Sequence, residues 1–378
     1  MLEIFFFVSL LGALYSYALY PLVLLLSKKQ SKISDEAISS SLPNVSLVVT
    51  VHNEEKRIRE KIENTLVLEY PLEKMEILIA SDASTDSTND IVKEYAQKNV
   101  KLIDVVEHKG KENAQLSAIK AASGSIIIFS DVATKIDSHG IETLVKYFNE
   151  PVVGAVSSED RFISSDGNIA GEGAYVKYEM WLRQKESDLA GLVGLSGSFF
   201  AARKEVCEEW DIYSPSDFNT ALNCAKKGFK AVNMPDVFGY YTDLKDSSKE
   251  YQRKIRTLIR GFTAVARHAE VLNFAKFGQF SFQVWSHKMM RWLVPWFLLA
   301  LAISSIMLVD EGFFYHLIFW CQLVFYSVVT VCHFIPSMRE KALFKIPYFF
   351  VQVNLAIAHA SILFLSGKRM YTWAPSKR

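Results

Sequence analysis

The chain has 378 residues, half of them apolar and 13% aromatic, with a formal net charge of +1. That length accommodates one sizeable core and something besides it, while the balanced charge and the lack of a basic stripe interleaved with aromatics argue against nucleic acid as a partner. Charge is unevenly spread, however: residues 4–26, 292–309, 312–338 and 346–367 contain no Lys, Arg, Asp or Glu. Crossing hydrocarbon takes roughly 20 apolar residues, so each of these stretches is a candidate span.

The first stretch, "IFFFVSLLGALYSYALYPLVLLL", has no basic lead and no small-residue cleavage site, and Lys28, Lys29 and Lys32 follow it. It reads as a retained anchor whose C-terminal end faces the cytoplasm. From 41 to 269 the pattern changes to alternating strands and helices. "VSLVVTV" (45–51) precedes a helix with Ile58, Ile62 and Leu66 on one face. "EILIA" (76–80) precedes a helix carrying Ile91 and Tyr95, "KLIDVV" (101–106) one carrying Leu116 and Ile119, and "SIIIF" (125–129) follows. Such alternation is the signature of a doubly wound, mostly parallel sheet, in which ligands sit at the carboxyl ends of the strands.

The residues after each run are polar: His52 to Glu55, then Ser81, Asp82 and Ser84 to Asp86, then His108 to Lys111, then Ser130 and Asp131. Ser84, Thr85 and Asp86 read as capping residues in front of a helix. Asp82 and Asp131 differ, because each directly ends a buried run, and two carboxylates at two strand ends of one sheet favour a site. No G-x-G-x-x-G follows a strand and no Walker pattern occurs, which sets aside a dinucleotide enzyme and a P-loop NTPase. A sheet that binds a nucleotide without such loops needs another way to hold the diphosphate, and a divalent metal on a carboxylate supplies one.

Further along, Tyr175, Tyr178, Trp181 and Leu182 recur at helical spacing and read as packing. "GLVGLSGSFFAARKEV" (191–206) reads as a Gly-rich loop and a strand. "SDF" opens a helix in which Phe218, Ala221, Leu222 and Ala225 share a face and after which Gly228 falls. "SHKMMRW" (286–292) reads as an interfacial lead into the second span, with membrane anchoring as the first role of His287 and Arg291. Gln352, Asn354 and His359 in the last apolar stretch leave open whether it is re-entrant or buried against its neighbours. Cys207, Cys224, Cys321 and Cys332 show neither metal-ligand spacing nor a paired framework, which suits a reducing compartment.

Five segments in order resemble the glycosyltransferase family 2 enzymes, nucleotide-sugar transferases of the GT-A fold, in their membrane-anchored form. They are "VSLVVTVHNEEKRI", "EILIASDASTDST", "GKENAQLSAIKAASGSIIIFSDVAT", "SPSDFNTALNCAKKGFKAVNMPD" and "QRKIR". The resemblance implies a Rossmann-like, mostly parallel cytoplasmic domain with one N-terminal and three C-terminal transmembrane helices. The expected division is an anchor at 1–30, the GT-A domain at 41–269, an interfacial helix at 270–290, a membrane region at 291–367 and a basic tail at 368–378. By the same resemblance Asp82 pairs with the base N–H, Asn53 and Glu54 line the nucleotide pocket, and Lys111 touches the diphosphate or the donor sugar. Asp131 holds Mg2+ or Mn2+, Arg253 and Arg256 stabilise the departing diphosphate, and Asp217 is the catalytic base. A carboxylate only accepts hydrogen bonds, so the imide N–H of uracil suits Asp82 and a UDP-sugar donor is expected. An aspartate is ordinarily ionised at neutral pH and can take a hydroxyl proton, although Asp217 also suits the first turn of a helix on dipole grounds alone.

Three departures qualify that pattern. Ala133 stands where a second metal carboxylate is frequent, Ser216 precedes Asp217 where an acidic residue is usual, and Thr257 follows Arg256 where processive synthases carry Trp. One carboxylate is compatible with Mg2+ or Mn2+ when a diphosphate and waters supply the rest. Thr257 favours transfer of single sugars. The expected protein is thus an integral, inverting hexosyltransferase of a bacterial-type plasma membrane, acting on a nucleotide-sugar and a lipid-linked or other membrane-associated glycan acceptor, with membrane lipids around it. The alternatives are a processive polysaccharide synthase and a catalytically inactive nucleotide-sugar-binding membrane protein.

Overall fold

A computed structural model of the chain describes residues 1–28, 42–163, 174–242, 247–339 and 341–370. Lys29, Lys32 and Ser41 lie outside the described residues, as do Lys377 and Arg378 of the expected tail. In chain order, α1 (Leu2–Leu14) and α2 (Tyr20–Leu26) join through a π-helical turn, Tyr15–Leu19. There follow β1 (Val45–Val51), α3 (Ile58–Leu66), β2 (Met75–Asp82), α4 (Thr88–Lys93), β3 (Val100–Val105), α5 (Lys111–Ala121) and β4 (Ile126–Asp131). Next are β5 (Lys135–Ile136), α6 (Gly140–Lys146), β6 (Val153–Ile163), α7 (Ala174–Leu189), β7 (Phe199–Arg203), α8 (Ser216–Lys226) and β8 (Lys230–Thr242). The remaining helices are α9 (Ser247–Arg267), α10 (Phe274–Gln283), α11 (Met290–Met307), α12 (Phe313–Phe334), α13 (Pro336–Arg339) and α14 (Ala342–Leu365). The chain divides into two compact units, one of Met1–Leu26, Ser247–Phe262 and Val284–Arg369, the other of Ser27–Asp246, Thr263–Gln283 and Met370–Arg378.

In the second unit the described strands form one sheet in the order β3-β2-β1-β4-β7-β6-β8-β5. The four strands read from the sequence lie side by side and all parallel, as expected of the alternating pattern. Beyond β4 the sheet becomes mixed: β7 runs antiparallel to both β4 and β6, while β6 and β8 are parallel. Every residue of β1 and β2 is buried, because parallel central strands are covered on both faces. Alternate side chains go to opposite layers. Val49, Ile79 and Ile128 pack in one layer with Ile58 and Ile62 of α3, while Leu78, Ile127 and Phe129 pack in the other with Ala114 and Ala118 of α5 and Ala221 of α8. That period places Asp131 on the α5 side and Ser130 on the α3 side.

The other unit is apolar. Among the described residues, four helical runs are long and apolar enough to cross a membrane: Leu2–Leu26, Phe274–Met307, Phe313–Phe334 and Leu343–Leu365. α1 and α11 approach closely at Gly12, where a Cβ would come within 2.7 Å of the Phe297 ring. Below that contact the Tyr15 hydroxyl and Ser286 Oγ are 2.9 Å apart, and Ser16 Oγ donates to the Ser286 carbonyl at 3.2 Å. The last stretch is one continuous helix, α14. Its polar residues are bonded within the unit: Asn354 Nδ2 donates to the Phe350 carbonyl at 2.9 Å, and His359 Nδ1 lies 3.2 Å from the Tyr251 hydroxyl. All four cysteines are free.

Candidate active site

The N-terminus of α5 organises the carboxyl end of the sheet. Gly110 has φ +100°, a conformation that only glycine adopts at little cost, and it turns two backbone N–H groups toward Asp82. Lys109 N–H donates to Asp82 Oδ1 at 3.1 Å and Gly110 N–H to Oδ2 at 2.9 Å, while His108 Nδ1 lies 2.8 Å from Oδ2. Asp82 is fully buried, so these contacts latch the β3–α5 loop onto the end of β2. His52 Nδ1 lies 2.6 Å from the Asp82 carbonyl, which only accepts, so that nitrogen carries the proton. The His52 and His108 rings stack at 4.1 Å. The spacing of His52, Asp82 and His108 would suit a metal ion, with ligand atoms within 4.8 Å of one another. Both Nδ1 atoms, though, are engaged with oxygens of Asp82.

Beside this latch, Asn53 sits in the left-handed region at φ +53°. Its Oδ1 accepts from Thr85 N–H at 2.8 Å and its N–H donates to Ser84 Oγ at 3.1 Å, joining the β1–α3 loop to the β2–α4 loop. The buried Glu54 accepts from Arg57 Nε at 2.7 Å and Nη2 at 2.5 Å. Asp86 closes the turn before α4 by accepting from Thr88 N–H at 3.0 Å, but the N-cap position itself is Ser87, so Asp86 stands one residue outside the capping role expected of it.

The first residue of α5 connects the other two carboxylates. Lys111 Nζ donates to Asp131 Oδ1 at 2.6 Å and to the Gly197 carbonyl at 3.2 Å. A Cβ on Gly197 would stand 3.3 Å from Asp217 Oδ2, so a larger residue would press on that carboxylate. Asp217 lies in the first turn of α8, and its Oδ1 accepts from Phe218 N–H at 2.9 Å. Burial pulls the Lys111 pKa down, but Asp131, with Glu112 and Asp217, outweighs it and holds the ammonium above its ordinary value. Asp82, Asp131 and Asp217 are therefore gathered around one helix start, although 135 positions separate the first from the last.

Sequence reasoning missed two groups here. Lys61 of α3 is buried and donates to Ser130 Oγ at 2.7 Å and to the Thr134 carbonyl at 2.5 Å. Burial pushes its pKa down to about 7 against the opposing charge of Asp131. Its signal was a lysine inside the apolar stripe of Ile58 and Ile62. Asp160 of β6 accepts from the hydroxyls of Ser196 and Ser198, and the Ser198 carbonyl accepts Asp131 N–H at 2.9 Å. Burial and, more weakly, the Asp131 charge raise its pKa, against the serine hydrogen bonds and Arg183. Its signal was the polar run "SSED" after the apolar "VVGAV", although β6 continues through it to Ile163.

Arg253 and Arg256 fall in the apolar unit, on α9. With Arg260 they recur at three- and four-residue spacing on one face of the helix. Burial, and then the like charges of Arg260 and Arg253, hold Arg256 below its ordinary pKa.

Comparison with known proteins bears on the fold that carries these residues. The family model "Glycosyl transferase family 2" matches residues 46–211. The poly-beta-1,6-N-acetyl-D-glucosamine synthase of Staphylococcus aureus (strain COL) is 28% identical over 210 residues, 53% of this chain and 49% of that protein. Its Staphylococcus epidermidis namesake is 29% identical over 175 residues, 44% of this chain and 42% of that protein. The chain thus spans about half the length of the curated relatives it matches. Among solved structures, the mannosyltransferase PcManGT from Pyrobaculum calidifontis, in complex with GDP-Man and Mn2+, superposes with a TM-score of 0.72 at 19% identity, over 98% of this chain and 100% of that one. At that identity the likeness speaks to the fold. Residues 46–211 accordingly match a glycosyltransferase family 2 domain, and the chain has the GT-A fold.

Proposed function

We propose that the protein is a membrane-bound, inverting glycosyltransferase. It moves a sugar from a UDP-linked donor to a lipid-linked or other membrane-associated glycan acceptor, in the synthesis of a cell-surface polysaccharide, glycolipid or lipopolysaccharide. The observation that carries this reading is the Lys111 ammonium, held between Asp131 at 2.6 Å and the Gly197 carbonyl at 3.2 Å, with Asp217 against Gly197.

Asp131 offers hard carboxylate oxygens and already has a cation beside it, so the residues there fit Mg2+ or Mn2+. Such an ion, when bound, neutralises charge that develops on the departing diphosphate. The chain's own residues do the rest. Lys111 sits on a flexible stem and can turn from Asp131 to a diphosphate oxygen. Asp217 accepts the proton of the acceptor hydroxyl as that oxygen attacks the anomeric carbon from the face opposite the diphosphate. Asp82 Oδ2 is taken by Gly110 N–H and His108 Nδ1, while Oδ1 keeps a second lone pair beyond its Lys109 N–H bond, which an imide N–H of the base would use. The loops bonded through Asn53 wall the same end of the sheet.

A second reading, processive polymer synthesis, draws on the names of the staphylococcal relatives, which are synthases of a polysaccharide. Thr257 in place of a stacking Trp speaks against it. The test is to incubate purified membranes with a panel of labelled UDP- and GDP-sugars and follow label into the lipid fraction. One UDP-sugar giving a product one sugar longer is the expected result. Incorporation from GDP-sugars alone overturns the donor assignment, long products favour the second reading, and neither transfer nor donor hydrolysis leaves a binding protein.

A further inference from the structure

Asp131 lacks the second carboxylate that Ala133 does not provide, and the structure brings another one to the same place from β6. β4, β7 and β6 are adjacent strands. Asp131 ends the first of them on the α5 side, the side of Ile127 and Phe129. Phe200 and Ala202 of β7 face that same layer, and the period of two carries their side to Ser198, whose carbonyl bonds Asp131 N–H at 2.9 Å. The Ser198 hydroxyl in turn donates to Asp160. Asp131 and Asp160 are therefore linked through one residue, Ser198, whose carbonyl bonds the first and whose hydroxyl bonds the second.

The bonding of Asp160 is one-sided. Ser196 and Ser198 both donate to Oδ1, while Oδ2 takes no hydrogen bond among the described residues. The nearby Arg183 guanidinium donates to Ser157 Oγ at 2.7 Å, and Ser157 Oγ also accepts Ser196 N–H at 2.8 Å, so the arginine helps to brace the serine segment. A carboxylate fixed through one oxygen and open at the other is arranged as a ligand. Asp160 is also partly exposed, which fits a position on the wall of a cleft.

The geometry points to Asp160 as the second carboxylate of the divalent-cation site, presenting Oδ2 directly or through one metal-bound water while Ser196 and Ser198 hold Oδ1. This inference rests on the donor-site reading given above. A cation between Asp131 and Asp160 takes the place that the Lys111 ammonium holds beside Asp131. Mg2+ and Mn2+ bind through one or two carboxylates with waters and phosphate oxygens completing the shell, so two aspartates from separate strands are a sufficient protein contribution.

The test uses the purified full-length protein and reads free and bound Mn2+ by electron paramagnetic resonance, alone and with UDP or GDP. The wild type is expected to bind Mn2+ more tightly with a nucleoside diphosphate than without. Asp160→Asn should weaken that nucleotide-dependent binding at least tenfold, as should Asp131→Asn, with nucleotide binding in metal-free buffer unchanged. Ser198→Ala keeps the carboxylate but loosens it, and a loss of a few fold is expected; it serves as the readout if Asp160→Asn does not fold. Wild-type Mn2+ affinity in Asp160→Asn, alongside a loss in Asp131→Asn, overturns the inference alone. So does unchanged Mn2+ affinity with a raised acceptor KM, which would make Asp160 a sugar-hydroxyl partner. A wild type with no nucleotide-dependent Mn2+ binding overturns the donor-site reading itself.

Discussion

β2 and β4 flank β1, and each is an apolar run that ends in aspartate, yet the two strand ends are put to different uses. Asp82 is completely buried and bonded by two backbone N–H groups and an imidazole. The Asp131 side chain is 34% exposed and faces the ammonium of Lys111. What distinguishes them is the loop brought over each. A glycine at φ +100° aims main-chain donors at Asp82, and these cannot leave without moving the loop. A lysine reaches Asp131 through four methylenes and can swing away. Strand-end carboxylates thus divide into a fixture and an exchangeable partner, a division set by neighbours rather than by the strand.

The largest expected effect lies on the exchangeable side. Asp217→Asn removes the carboxylate beside Gly197 that is proposed as the proton acceptor but keeps its shape, and turnover should fall by about 10² to 10⁴. Nucleotide affinity, measured by calorimetry, should stay within a few fold. Near-normal turnover would take the base assignment away and leave that half of the cleft without its chemistry.

A smaller effect is expected on the fixed side. Asp82→Asn leaves one carbonyl oxygen for two backbone donors, stranding a buried N–H at a cost of about 1 to 3 kcal/mol. The unfolding temperature should drop by a few degrees, and nucleotide binding should weaken along with it as the His108 to Lys111 loop is released. Weakened binding with unchanged thermal stability would break the comparison, because Asp82 would then be a ligand contact and not a latch.

How much of this was legible in the sequence follows the same line. The four parallel strands, the helix beginning at "SDF" and the strand after the Gly-rich loop were all readable, because apolar period and breaker residues are local signals. Asp82 and Asp131 could be singled out by the strand-end rule, but the rule is blind to which loop covers which carboxylate. Nothing local says that Gly110 sends its N–H to a residue 28 positions earlier. Asp160 escaped because Ser198, which links it to Asp131, arrives later in the chain, just ahead of the antiparallel β7. In the apolar unit composition identified the spans, whereas the course of the last one depended on partners for Asn354 and His359 that no hydropathy pattern displays.

Lys61 provides the finest probe of the exchangeable side, because it lies beneath Ser130 and senses the charge of Asp131 from the opposite layer. Its pKa is lowered from 10.5 to about 7, chiefly by burial. Between those values the unfolded chain binds a proton that the folded chain does not, so this lysine makes stability rise with pH across the window. Its penalty is full below about pH 7 and gone above the unfolded value. The contribution is at most about 1.4 kcal/mol per pH unit. Lys61→Met should remove that slope, so the variant's stability relative to wild type is greatest at or below pH 7 and declines toward pH 10, read from denaturant unfolding at several pH values. The absolute offset carries the lost bonds to Ser130 and Thr134 as well, and only the pH dependence of the difference isolates the charge. A difference that is flat with pH would mean the ammonium stays protonated across the range. Asp131 would then be held by two permanent cations, Lys111 on one side of the sheet and Lys61 on the other, and would no longer be the freely exchangeable carboxylate of the pair.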